Sequence, residues 1–104
     1  MKRKTSTARQ DKFRLDVRGA YLRRTDLSHA NLERANVSGA DFSNAILRDA
    51  DFRDAILEGT ILKGADLTGA KNLTMDQLQK AILDPQTKLP NEFSISEFVP
   101  GSAA

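Results

Sequence analysis

The 104-residue chain has no cysteine, a single histidine, a single tyrosine and only three prolines. Without cysteine there can be neither a disulfide framework nor a thiolate metal site, and the composition suits a reducing cytosol. One histidine, His29, leaves little material for acid–base or nucleophilic chemistry near neutral pH. No apolar run approaches the ~18 residues of a membrane span. The opening MKRKTSTARQ is basic but has no apolar stretch behind it, so it does not read as a secretory signal, and the cytoplasm is the expected compartment. At this length the chain is expected to be one domain, close to the lower limit at which a core alone stabilises a fold.

What the sequence does have is a period. Val17, Leu22, Leu27, Leu32, Val37, Phe42, Leu47, Phe52, Leu57, Leu62 and Leu67 are large and apolar, and each follows the last by five residues. Two positions before each sits a smaller residue, mostly alanine, except for Leu15 before Val17, giving a unit A-(D/N)-L-x-x such as Ala30-Asn31-Leu32-Glu33-Arg34. A helix needs apolar spacing near 3.6 and a strand needs 2.0; a strict five satisfies neither. A chain that turns a corner once per unit, with one large and one small residue inside and three outside, makes five natural, and that is a solenoid.

These units resemble the pentapeptide-repeat family, and the resemblance covers residues 15 to about 69. It implies an all-β solenoid, a right-handed quadrilateral parallel β-helix with four units per coil. Eleven units then make just under three coils, a stub roughly 13 Å tall at about 4.8 Å between strands. Residues twenty apart stack. The structural core is expected to be Leu22, Phe42, Leu47, Phe52, Leu57 and Leu62 together with the other large residues of the repeat. On the outside, His29 falls over Asp49, Arg34 over Asp54 and Glu33 over Arg53, three opposite-charge pairs. Gly19, Gly39 and Gly59 form one column, as expected where a corner needs positive φ.

The pattern breaks after Ala70. Leu73-Thr74-Met75-Asp76-Gln77-Leu78 reads as a helix start, with Thr74 as N-cap and Gln77 completing a capping box. Met75, Leu78 and Ile82 lie on one helical face, and Asp84-Pro85 stops the helix. The resulting division is a basic, disordered arm (1–14), the β-helix (15–73), a capping helix (74–84) and a C-terminal tail (85–104) whose Phe93, Ile95, Phe98 and Val99 can dock on the solenoid or on a partner. The arm, with Lys2, Arg3, Lys4 and Arg9 among its bases, carries a net +5; the chain total of +2 leaves −3 for residues 15–104. With only Phe13 available for stacking, nucleic-acid recognition by the arm is disfavoured.

Catalytic, cofactor and metal sites are not expected. The carboxylates alternate around a convex surface with no cleft to desolvate them, and the square coil sends Asp49, Asp51 and Asp54 to different faces. The candidate interaction surface is the outward position before each large residue, usually Asp or Asn. Here it becomes Tyr21, Ile46, Ile56 and Ile61. The function expected is a non-catalytic interaction module or adaptor whose partner is another protein, with a second copy of the chain as a further candidate and no membrane. Two alternatives stand beside it. One is a DNA-mimicking topoisomerase (gyrase) inhibitor, implied by the resemblance because some members present a rod of DNA-like diameter and charge. This chain departs from that pattern in its short stack and in the arginines, Arg18, Arg23, Arg24, Arg34, Arg48 and Arg53, interleaved with its acids. The other is a binder of nucleic acid or acidic surfaces through the arm.

Overall fold

The computed structural model describes residues 15–101. Its framework is a stack of square coils held by isolated parallel bridges: each side of the square contributes one bridging residue per coil, too few for an extended strand. Asp16, Asn36 and Ile56 bridge along the first face; Tyr21, Asp41, Ile61 and Ile82 along the second; Asp26, Ile46, Asp66 and Lys88 along the third; Asn31, Asp51 and Lys71 along the fourth. Within the repeat every bridge joins residues twenty apart. The bonding is the same on each side. The Leu22 amide donates to the Asp41 carbonyl and the Asp41 amide to the Ala20 carbonyl, both at 2.8 Å.

Corners close with a second local bond, from the amide of the small residue to the carbonyl of the large one three positions earlier, as from Ala45 to Phe42 at 2.9 Å. At every fifth residue from Gly19 to Gly69, φ lies between 56° and 73°. This is the third residue of a type II turn, where φ must be positive. The requirement reaches well beyond the Gly19, Gly39 and Gly59 column, because Arg24, His29, Arg34, Asn44, Asp49 and Asp54 adopt the same conformation. A non-glycine residue there costs about 1–2 kcal/mol. The ladder on both sides of each corner holds it in place. Gly69 meets a further constraint: a Cβ at this position would run into the Asp49 carboxylate.

The small and large residues of each unit fill the interior. Ala35, Val37, Ala40, Leu47, Ala50, Phe52, Leu62, Ala65 and Leu67 are fully buried, and Phe42 and Leu57 nearly so. Leu22 is only half-buried, like Val17 and Leu27, because no coil lies beneath it among the described residues. Within the repeat one fully buried small slot holds a polar side chain. The Thr60 hydroxyl, fully buried, donates to the Val37 carbonyl at 2.7 Å.

The C-terminal end is closed in a way the repeat does not announce. Helix α1 spans Met75–Lys80, shorter than the 74–84 read from the pattern, and carries the capping box: the Gln77 amide donates to Thr74 Oγ1 and the Thr74 amide to Gln77 Oε1. Ala81 is already extended and returns the chain to the ladder. The Ile82 amide donates to the Thr60 carbonyl and the Lys88 amide to the Ala65 carbonyl, so the ladder runs on past Leu73 on two faces. Consequently Leu78 is the one buried residue of α1, while Met75 and Ile82 are exposed and not on a shared buried face. Leu83, Leu89, Phe93 and Phe98 pack against the same core as Leu78. Phe93 and Phe98 meet edge to face at 6.1 Å, flanking a 3-10 turn at Ile95–Glu97.

Candidate interaction surface

The outward Asp or Asn of the repeat is a backbone device first. Asp16, Asp26, Asn31, Asn36, Asp41, Asp51 and Asp66 each accept, through a side-chain oxygen, the amide two residues on, at 2.9–3.2 Å. Where that second residue is Ser or Thr, its hydroxyl donates to the same oxygen: Ser28 to Asp26, Ser38 to Asn36, Ser43 to Asp41 and Thr68 to Asp66, at 2.6–2.7 Å. The repeat's preference for Asp or Asn therefore follows from an amide that faces outward and has no ladder partner.

These bonds hold the carboxylates in their charged form. Asp26 and Asp41 lie below the usual carboxylate range because of the bonds from Ser28 and Ser43, and Asp16 because of the Arg18 guanidinium. The Asn72 side-chain amide does the same for Asp51. For Asp66, partial burial pushes upward, but the Thr68 bonds and Arg48 outweigh it.

Ion pairs follow diagonals more than columns. Arg48 reaches Asp66, eighteen residues on, at 3.0 Å, and Arg23 reaches Asp41 at 3.9 Å. Of the three column pairs expected from the sequence, His29 and Asp49 approach to 3.8 Å. Among the described residues neither Arg34–Asp54 nor Glu33–Arg53 closes; the Arg53 guanidinium turns instead to Asn72 Oδ1 at 3.4 Å. A long arginine side chain spans more than one repeat position, so the column rule governs backbones better than charges.

Against this background Tyr21, Ile46, Ile56 and Ile61 are positions where the side-chain bond is given up. Tyr21 is 74% exposed, with the Arg23 guanidinium 5.8 Å above its ring and bonded to its hydroxyl at 3.1 Å. Ile46 is 38% exposed and lies alone between Asp26 and Asp66. Ile56 ends the first face above Asn36; Ile61 lies on the second face, with Asp41 separating it from Tyr21. The four do not form one patch. The structure adds a residue that the sequence reading placed on the helix: Ile82 bridges directly to Ile61 and is 42% exposed. Ile61 and Ile82 are thus stacked neighbours, with Ile56 on the adjoining face. The tail's Phe93 and Phe98 are spent on the end of the core.

Lys2, Arg3, Lys4 and Arg9 lie outside the described residues. Among the described residues there is no helix long and apolar enough to cross a membrane, and no group of three or more metal-ligating side chains converges.

A single bridge per side, a turn at every fifth residue and an interior of alternating small and large side chains define a β-helix of five-residue units. The family model for pentapeptide repeats matches in 8 copies across residues 14–49 and 45–84, and the chain belongs to that family, whose members form right-handed β-helices. Comparison with curated proteins gives no match. Among solved structures, QnrB1, a plasmid-mediated fluoroquinolone resistance protein, is similar with a TM-score of 0.62 at 23% identity, over 74% of this chain and 35% of QnrB1. A second QnrB1 structure gives 0.61 at 24% identity, over 74% and 36%. HetL, a pentapeptide repeat protein involved in heterocyst differentiation regulation from the cyanobacterium Nostoc sp. strain PCC 7120, is 26% identical over 88% of this chain and 48% of HetL, with a TM-score of 0.42. The chain therefore spans about a third of the length of QnrB1.

Proposed function

We propose that the chain is a non-catalytic protein-interaction module: a quadrilateral coil of just under three turns, capped by α1, that presents outward apolar side chains to another protein in the cytoplasm and needs no cofactor. The observation that carries this reading is the Ile61–Ile82 stack, with Ile56 beside it. A repeat whose outward position normally bonds its own turn has exchanged that bond for aliphatic surface that is exposed at Ile82 and half-buried at Ile61 and Ile56. Adjacent apolar side chains on a polar solenoid gain from being covered by a partner, at about 25 cal/mol per Å² of apolar surface removed from water.

A DNA-mimicking topoisomerase inhibitor is the second reading, prompted by the fold shared with QnrB1. The charge pattern weighs against it. Arg48 and Arg23 lie against the carboxylates of Asp66 and Asp41, so the surface alternates in sign where a duplex is uniformly negative. The test is affinity capture from the native lysate with three forms of the chain: wild type, Ile61→Asn with Ile82→Asn, and one with Lys2, Arg3, Lys4 and Arg9 changed to Gln. A protein lost with the isoleucine changes alone supports the module. A type II topoisomerase retained by both variants supports the inhibitor. Nuclease-sensitive capture lost with the arm changes supports nucleic acid.

A further inference from the structure

The closing coil and the tail that follows it are held in different ways. As far as Lys88 the chain is hydrogen-bonded to the repeat again and again. The Gln77 side chain donates to the Phe52 and Ala55 carbonyls, the Gly59 amide to the Lys80 carbonyl, the Gly64 amide to Asp84 Oδ1 and the Thr87 hydroxyl to the Leu62 carbonyl, and the ladder ends with Ile82 and Lys88. Beyond that point the bonding turns in on itself. The Phe93 amide donates to the Pro90 carbonyl, the Glu97 amide to that of Ser94, and the Phe98 and Val99 amides to that of Ile95, while the Ser94 amide donates to Glu97 Oε1 at 3.0 Å. Among the described residues, 90–101 make no hydrogen bond to the rest of the chain.

What holds the tail is aromatic. Phe93 and Phe98, half-buried and edge to face at 6.1 Å, lie against the end of the core. The fit is loose: a gap of about 130 Å³ remains between α1 and the tail, lined by Leu78, Gln79, Ala81, Leu83, Glu97 and Phe98. A segment that satisfies its own backbone and attaches through two side chains is built as a peptide ligand is, and this one is tethered. Its release breaks no hydrogen bond to the solenoid and uncovers the apolar end around Leu78 and Leu83. We propose that the C-terminal end of the solenoid is a docking site for a segment of another protein that carries two aromatic side chains five residues apart about a short turn, and that the chain's own Phe93–Phe98 segment occupies it as an intramolecular competitor. The seated tail supplies the chemistry that fits. Its short connection to Leu89 keeps its local concentration on the order of millimolar, so a partner binds wild type with an affinity reduced by the closed fraction. The site lies on the end of the stack and does not depend on the Ile61–Ile82 face.

The test uses the full chain, as wild type and as Phe93→Ser with Phe98→Ser, and a labelled peptide with the sequence of residues 90–101, followed by fluorescence anisotropy. The peptide is expected to bind the variant, and to bind wild type at least about tenfold more weakly because the tail competes. The same peptide with both phenylalanines changed to serine should bind neither. In wild type the Phe98 and Val99 amides should exchange at least about a hundredfold faster than those of Leu62 and Leu67, through opening of the tail alone. Adding Ile61→Asn and Ile82→Asn to the serine variant should leave the peptide's affinity unchanged, so this site and the isoleucine face are read separately. The proposal is overturned if the serine variant loses its cooperative melting transition, which would make the tail part of the fold. Absent peptide binding to the folded variant, equal affinity for variant and wild type, or tail amides that exchange no faster than Leu67 would each overturn it too. A wild-type dimer that dissociates when Phe93 and Phe98 are changed would overturn it in favour of tail exchange between two copies.

Discussion

The side-chain amide of Gln77 donates to the carbonyls of both Phe52 and Ala55, each at 2.9 Å, and the Ala55 carbonyl is the one a further coil would otherwise meet, as the Ile56 amide meets that of Ala35. The same side chain caps α1 through its oxygen. One residue thus starts the helix and closes a corner of the solenoid. Gln77→Ala leaves the Ala55 carbonyl without a partner and the Phe52 carbonyl with the Ala55 amide alone, and should cost about 1–3 kcal/mol in chemical denaturation. Gln77→Glu keeps the acceptor for the Thr74 amide but turns a carboxylate toward two carbonyls, so it should be at least as damaging. A glutamate variant as stable as wild type would show that the corner bonds are unimportant.

The positive-φ corners predict opposite signs for two kinds of change. Gly69→Ala adds a Cβ into the Asp49 carboxylate at φ +73°, and should cost about 1–3 kcal/mol. Adding Asp49→Gly to the same chain should restore part of the loss. Arg24→Gly and Arg34→Gly relieve φ of 60° and 58°, and each should stabilise by about 0.5–1 kcal/mol after the greater freedom of glycine in the unfolded chain is subtracted. Equilibrium denaturation of the four variants reads both effects.

Phe52 has no solvent exposure and lies in the middle coil, where neighbours above and below leave no room for collapse. Phe52→Ala should cost about 3–5 kcal/mol, and Phe52→Asp, with a charge buried and unpaired, should abolish the cooperative thermal transition. A native melting curve for Phe52→Asp would mean that the inward columns are wrongly drawn.

Acid should loosen the solenoid. Asp26, Asp41 and Asp66 have depressed pKa values, through Ser28 and Ser43 for the first two and, for Asp66, through Thr68 and Arg48 against the upward push of partial burial. A carboxylate whose folded pKa is depressed contributes stability above its unfolded pKa, about 3.9, and loses it as pH falls through the folded value. The melting temperature should be level from neutral pH to about 5 and fall below about 4. Asp41→Asn keeps an acceptor for the Ser43 amide without a titrating group, so its melting temperature should fall less over that range.

Much of this was legible in the sequence, for an identifiable reason. Side chains that point inward repeat because every unit meets the same interior, so the spacing of Leu22 to Leu62 gives the solenoid, while the twenty-residue register followed from the resemblance to the pentapeptide-repeat family. The Thr74–Gln77 cap was readable because it is local. The corner requirement was readable too, in the Gly, Asn and Asp that fill every fifth position from Gly39 to Gly69, but arginine and histidine at the first-coil corners obscure it. Ala81-Ile82-Leu83 and Thr87-Lys88-Leu89 repeat the small–outward–large order of Ala55-Ile56-Leu57 and Thr60-Ile61-Leu62. Because α1 puts them out of the five-residue register, Ile82 reads as helical and its place beside Ile61 is hidden. The second role of Gln77 and the diagonal reach of Arg48 depend on packing across coils, which no local pattern encodes.

The central claim is that Ile61 and Ile82 serve a partner and not the fold. Asparagine at position 61 is a residue the repeat itself uses there, able to accept the Lys63 amide as Asn36 accepts that of Ser38. The decisive measurement is the melting temperature and the partner capture of one variant, Ile61→Asn with Ile82→Asn. The account predicts a melting temperature equal to or above that of wild type, with the captured protein lost. Unfolding of the variant, or undiminished capture by a folded variant, would contradict it.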